Sequence, residues 1–224
     1  MNQKVTRMDN LPGAVLQRFE SLGDNCEFGF VQRANGCEDG GLLRWSISPL
    51  DKLVRCLDTD FKDFYLFENL EPSAPDMVQD TATGLIFHSA MRSLDGRFVL
   101  DTERRRNIYT QERDKMYYML DKFRRRLGLP STIGVYKRNI GVADEEADRL
   151  RKSLNRLGKN TLLLVRSTTD QAKWSSIERS PFGFLLGFVD RFAPYSNANW
   201  ISTDVWNNLL KNASEHADGN TKIS

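Results

Sequence analysis

Residues 132–165 constrain the fold more than any other stretch of this chain. Thr132 to Tyr136 reads as a strand, and after Asn160 comes Thr161-Leu162-Leu163-Leu164-Val165, a continuous apolar run with no polar alternation. A strand that is apolar at successive positions is buried on both faces, as in a parallel sheet covered by helices on either side. Between these runs Ala147, Leu150, Leu154 and Leu157 recur at helical spacing, which predicts a helix over 144–157. Strand, helix and strand in that order form a βαβ unit whose two strands are parallel neighbours.

The flanking segments fit around such a core. Arg18 to Leu22 reads as a short strand running into Gly23-Asp24-Asn25, a turn that opens a helix from Cys26 to Ala34, and Asn35-Gly36 stops it. Leu42 to Ile47 follows as a strand. Ser48 as N-cap, with Pro49 and Asp51 behind it, opens a helix with Leu50, Leu53, Val54 and Leu57 on one face. Residues 71–84, with two prolines, read as a loop before the short strand Gly84 to His88. Phe98 to Leu100 is expected to pair with that strand across Asp95-Gly96. A long helix is predicted over 101–127, a strand over 184–189 and a last helix over 203–217. The expected fold class is α/β: a single domain over 18–217, its mixed sheet holding a parallel βαβ core flanked by helices. Residues 1–17 are expected as an N-terminal extension and 218–224 as a frayed tail.

Composition narrows the function classes. Lys and Arg number 32 against 30 Asp and Glu, so the net charge of +2 gives no bulk signal for nucleic acid. The longest apolar stretch, Pro181 to Val189, is far short of the roughly 18 residues a membrane span needs. Lys4 and Arg7 precede no apolar segment, so a secretory signal is not expected and a cytoplasmic location is. Cys26, Cys37 and Cys56 are odd in number and lack CxxC spacing, which predicts thiols rather than disulfides or a zinc site. No phosphate-loop, dinucleotide-binding, serine-elbow or metalloprotease pattern occurs, and neither a cofactor nor a metal is expected.

Cys26 stands out because the first turn of a helix is where the macrodipole and free N–H groups favour a thiolate. A cysteine nucleophile needs a base titrating near neutral pH, and the chain has two histidines. His88 closes a short apolar strand, whereas His216 lies near the C-terminus, so His88 is the candidate base. The Cys26 backbone N–H and the Asn25 side-chain amide are the candidate oxyanion donors. Asp95, Asp101 and Asp190 are alternatives for the residue that orients His88, with Asp190 favoured by its place at the end of the 184–189 strand.

The segments FESLGDNCEFGFVQR (19–33), GLIFH ending at His88, NTLLLVRS and GFVDRFAPY resemble a bacterial family described as papain-like cysteine peptidases, otherwise a domain of unknown function. The resemblance spans roughly 18–210, and SLGDNCEFG is its strongest motif. It implies a Cys nucleophile and a His base in that chain order, which fall on Cys26 and His88. Because such domains occur beside bacterial surface-polysaccharide and glycosyltransferase genes, it also implies a setting in surface-glycan metabolism. The expected function is a cysteine-dependent hydrolase or acyltransferase acting on a peptide, acyl or glycan substrate.

A second reading starts from charge. Arg97 to Arg138 holds twelve Lys or Arg against five acids. Arg124 to Arg126 suit the C-terminal end of the long helix, but Arg104, Arg105 and Arg106 lie near its N-terminus, where the dipole disfavours cations. Such a triplet is a candidate anion site. With Trp45, Trp174, Trp200 and Tyr195 near loops, it suggests a non-catalytic domain that binds a nucleotide-sugar or an acidic glycan.

Overall fold

The βαβ unit predicted from 132–165 forms the centre of the molecule, described here over residues 11–219 by a computed structural model. In chain order the elements are α1 (Gly13–Leu16), β1 (Phe19–Ser21), α2 (Glu27–Ala34), β2 (Ser46–Ile47), α3 (Leu50–Asp58), β3 (Leu70–Ala74), β4 (Met77–Asp80), β5 (Leu85–His88), β6 (Ser93–Leu94) and β7 (Arg97–Phe98). Then come α4 (Thr102–Leu127), β8 (Ile133–Lys137), α5 (Asp144–Leu157), β9 (Thr161–Ser167), β10 (Ile177–Arg179), β11 (Leu185–Val189) and α6 (Thr203–Gly219). The strands β8 and β9 are parallel neighbours, Ile133 opposite Thr161 and Lys137 opposite Val165, with α5 as the crossover.

The main sheet has the order β1-β8-β9-β11-β10. Its first four strands are parallel, and β10 closes one edge antiparallel to β11. Period-two alternation divides its side chains between two cores. Leu162 and Leu164, with Tyr136 and Leu186, face a core built by α3, α4, α5 and a second sheet. Leu163 and Val165, with Phe19, Val135 and Leu185, face α1, α2 and α6, where Trp206 and Leu209 are fully buried. Each such leucine contributes about 1.5–3 kcal/mol by leaving water. The absence of polar alternation in 161–165 therefore has a direct cause. The fold is α/β with a mixed sheet and a parallel core flanked by helices.

Four expectations need correcting, and the first is that the strand read over 42–47 covers only Ser46–Ile47, with residues 42–45 forming turns. Residues 71–84 are not a loop: β3 and β4 join β5 and β2 in an antiparallel sheet of order β2-β5-β4-β3. Pro72 lies on the edge strand β3, where the register shifts between Pro72 and Ala74, a place where a missing N–H breaks no ladder. Phe98 does not pair with β5, whose two edges are taken by β2 and β4. It pairs with Ser93 in a small hairpin, and the predicted Asp95-Gly96 turn is there, with φ of 49° and 72°. The helix α3 starts one residue later than read, with Pro49 at its N-cap.

At the ends, Leu11 and Leu16 are buried in the second core, so the described part of the expected extension is packed structure. Asp218 is held by Arg18 at 2.8 Å. The rest of the extension and of the tail lies outside the described residues. Among these residues, no helix is long and apolar enough to cross a membrane.

The junction of α4 and α5 offers a steric test. A Cβ at Gly158 would sit 2.4 Å from the Leu127 carbonyl oxygen and 3.0 Å from Gly128 Cα, both backbone atoms that cannot swing aside. Gly158→Ala is expected to lower the unfolding free energy in urea by about 1–3 kcal/mol. Gly13→Ala, with nothing within 4 Å of the new carbon, should stay within about 0.5 kcal/mol of the wild type.

Candidate active site

The site is built where β1 ends. Gly23 (φ 90°) and Asp24 (φ 76°) turn the chain sharply from β1 into α2. Glycine is required at 23, since a Cβ there would lie 2.2 Å from Ser48 Oγ. Asp24 is not glycine, and its left-handed backbone is held by its side chain, which accepts from the Tyr195 hydroxyl at 3.1 Å and lies 3.9 Å from Lys137 Nζ.

The next residue, Asn25, is buried, and its Oδ1 accepts from the Glu27 backbone N–H at 3.0 Å. This Asx turn leads into α2 and fixes the orientation of the amide. The Asn25 Nδ2 group is then left buried without a partner among the described residues. Buried donors are nearly always satisfied, so an orphan next to a candidate nucleophile is informative.

Cys26 occupies the N-cap position of α2 and is half-buried. Burial pushes its thiol pKa up, the Asp76 carboxylate adds to the rise by repulsion, and Lys137 opposes both. Burial and Asp76 act in the direction opposite to the one the helix start alone suggests. A helix terminus stabilises a charge by about 0.3–1 kcal/mol at an exposed site, too little to outweigh desolvation beside a carboxylate.

Beneath the turn is a buried charge cluster. Lys137, from the end of β8, is 1 % exposed and lies 2.7 Å from the Glu27 carboxylate, itself fully buried. Its ammonium donates to Asn139 Oδ1 at 2.6 Å and sits over the Phe192 ring at 4.8 Å, while the Trp206 indole N–H donates to Glu27 at 3.2 Å. Burial raises the pKa of both Glu27 and Asp24, and Lys137 pulls each back.

His88 ends β5, half exposed, with Nδ1 3.2 Å from Asp76 Oδ2. Asp76 lies in the turn between β3 and β4. The ladder sets this contact: Met77 is opposite His88, and the Ser89 N–H donates to the Asp76 carbonyl at 3.0 Å. On the far side α4 presents Glu112, which accepts from Ser89 Oγ and the Ala90 N–H, both at 2.8 Å, and from the Tyr65 hydroxyl at 3.0 Å. One carboxylate, Asp76, therefore contacts the histidine and acts electrostatically on the thiol. Cys26 Sγ has no hydrogen-bond partner among the described residues. A cavity of about 420 Å³ opens beside His88, walled by Phe30 and Arg33 of α2, by Trp45, and by Lys115 and Met119 of α4.

Asp76 is the residue that sequence reasoning missed. Reading 71–84 as a loop hid it, although Pro75-Asp76 between two short runs is turn chemistry that signals a hairpin. Asp190 does not orient His88: it accepts from Ser202 Oγ and from Arg191, each at 2.8 Å, at the end of β11. The arginine triplet has protein partners. The Arg104 N–H donates to the Asp101 carboxylate at 2.8 Å, and its guanidinium pairs with Asp101 at 3.5 Å. Arg105 lies over Phe98 at 4.4 Å and Arg106 over Phe67 at 4.4 Å. The cost of placing cations at a helix start is offset within the protein, so no external anion is needed to explain them. Of the loop aromatics, Trp45 lines the cavity, and Tyr195 holds Asp24. No group of three or more metal-ligating side chains occurs among the described residues.

Compared with protein-family models, with curated proteins and with solved structures, the chain matches none of them.

Lys137 provides a test of the cluster. Lys137→Met leaves two buried carboxyls without their cation, and breaking such a pair costs about 3–5 kcal/mol. The sign with pH follows from the raised values. Carboxyls whose folded pKa exceeds the unfolded one favour the native state most when protonated, and that contribution is lost as pH rises through the folded pKa. Lys137 limits the loss, so the destabilisation measured in urea is expected to be larger at pH 8 than at pH 5.

Proposed function

We propose that this protein is a cysteine-dependent acyl-transfer enzyme, a hydrolase or acyltransferase, with Cys26 as nucleophile, His88 as general base and Asp76 as the residue that orients the base. The observation that carries the reading is the His88–Asp76 pair, Nδ1 to Oδ2 at 3.2 Å. Asp76 holds His88 by Nδ1, which leaves Nε2 free for a proton, and the same carboxylate is felt by the thiol one helix start away. A buried Asn25 amide without a partner supplies a candidate oxyanion donor.

The raised thiol pKa shapes the mechanism. The resting nucleophile is the neutral thiol, so its proton is removed as attack occurs rather than before it. Sulfur bonds to the acyl carbon while His88 takes the thiol proton. The tetrahedral oxyanion is met by the Asn25 amide and the Cys26 backbone N–H. As it collapses, the alcohol, thiol or amine leaves with the proton from His88, and a thioester remains on Cys26. Water or an acceptor hydroxyl then repeats the sequence in reverse and frees the thiol. The reading requires the half-exposed His88 side chain to close onto sulfur in the substrate complex, since catalytic hydrogen bonds tighten there. The resemblance of residues 19–33 to the papain-like family supports the same pair of residues and adds a bacterial surface-glycan setting.

Asp76→Asn separates this reading from a structural one, because it has two expected effects of opposite sign. Removing the repulsion should speed alkylation of Cys26 by iodoacetamide at pH 8. Loss of the oriented base should lower turnover of p-nitrophenyl acetate by a factor on the order of 10²–10⁴, as in His88→Asn, with Cys26→Ala inactive. Turnover that survives in Cys26→Ala, or is unchanged in Asp76→Asn, would count against the assignment.

A further inference from the structure

We infer that the cavity beside His88 binds the far, carboxylate end of an acyl substrate, so that the ester or thioester attacked by Cys26 bears a negative charge about 10 Å from its reacting carbonyl. This rests on the acyl-transfer reading above and names its substrate class.

The distance comes from α2. Cys26, Phe30 and Arg33 are spaced four and three apart, which sets them along one face of the helix, and the Phe30 N–H donates to the Cys26 carbonyl at 3.1 Å. Phe30 and Arg33 line the cavity together with His88, so its wall is the helix face that begins at the nucleophile. Seven residues at 1.5 Å of rise put Arg33 about 10 Å along the axis from Cys26.

The charge comes from the lining. Arg33 and Lys115 enter the cavity, and among the described residues no carboxylate lines it. The Arg33 guanidinium is stacked over the Trp45 indole at 4.5 Å, which orients the plane and leaves its N–H edge free to pair with an anion. Its present partner is Glu38, 3.4 Å from Nε, with both side chains more than half exposed. A pair of that kind is weak, and a substrate carboxylate would replace it like for like.

The remaining contacts argue for an acyl chain rather than a sugar ring. The indole of Trp45 is engaged by Arg33, by Arg44 at 5.0 Å and by the edge of Phe30 at 5.0 Å, so it is not free for a sugar to stack on. The rest of the lining includes Phe87, Met116 and Met119, an apolar surface whose methionines adapt to a flexible chain. The volume of about 420 Å³ is within the range of small-molecule sites.

Calorimetric titration of the Cys26→Ala protein tests the site without catalysis. Monomethyl suberate, with one carboxylate, is expected to bind about tenfold more tightly than dimethyl suberate, and Arg33→Gln with Lys115→Gln should abolish the difference. Equal affinities, or a preference that survives the double substitution, would overturn the inference. The first comparison needs no cavity variant, so it holds even if the double variant folds poorly. With wild-type protein, the 4-methylumbelliferyl ester of suberic half-acid should be cleaved faster than the octanoate. Anion-selective binding with neither ester cleaved would sink the acyl-transfer reading and leave the binding site standing. Cleavage of both esters at equal rates with no binding preference would do the reverse.

Discussion

The ammonium of Lys137 is the interaction on which the rest of the site depends. It stands at the end of β8, buried among groups that come from four other parts of the chain. Asp24 belongs to the β1–α2 turn and Glu27 to the first turn of α2, while Phe192 and Tyr195 come from the segment after β11. Trp206 of α6 completes the set through Glu27. A buried charge is tolerable only when paired and hydrogen-bonded, so each of these segments must be in place before Lys137 is satisfied. That requirement gives the turn its definition. Asp24 sits in a left-handed conformation that costs energy, and Tyr195 with Lys137 hold it there, which in turn sets the start of α2 and the position of Cys26.

How much of this was legible in the sequence depends on whether a residue's role is local. The β8–α5–β9 unit was readable to within a residue or two because its signal is doubled: a strand buried on both faces shows as an unbroken apolar run, and its crossover helix as a clean amphipathic period. The meander β3–β4–β5 was not. Its edge strand contains Pro72, and proline reads as a loop unless one knows that the N–H it lacks would have pointed outward. The small hairpin β6–β7 shows the same division. Asp95-Gly96 identified its turn, since positive φ is a local demand, but the partner of Phe98 was set by β5 having both edges already occupied.

The site divides in the same way. Cys26 at a helix start and His88 at a strand end were visible as positions, because helix and strand ends are local events. Asp76 became visible only through pairing, since its contact with His88 follows from the register of β4 against β5. The Arg104–Arg106 triplet misled for a related reason. The dipole penalty was read correctly, but the groups that offset it include Phe67, more than thirty residues earlier in the chain. For the thiol, burial first and the sequence-distant Asp76 second raise the pKa, and neither is a local feature of the helix start.

The cavity wall is held by a different device, and it explains why a glycine-rich loop can be a fixed surface. Arg44 is 1 % exposed, and its guanidinium donates to the carbonyls of Asp39 and Cys37 at 2.7 Å and of Gly29 at 3.1 Å. Three carbonyls from the loop and from α2 are thereby fastened to one planar group. Residues 37–41 have little side-chain packing of their own, and this fork is what ties two of their carbonyls to α2. Gly40 and Gly41 can then approach closely: a Cβ at 40 would lie 2.6 Å from Met119 Cε, and one at 41 would lie 2.9 Å from Glu20 Oε1. Arg44 also lies against Trp45, on which Arg33 is stacked. A buried cation that binds no carboxylate among the described residues thus sets both the loop that walls the cavity and the indole that orients its charged end. It fixes that geometry from behind, with its Nη1 and Nη2 donating to backbone carbonyls, and leaves Arg33 and Lys115 to meet whatever enters.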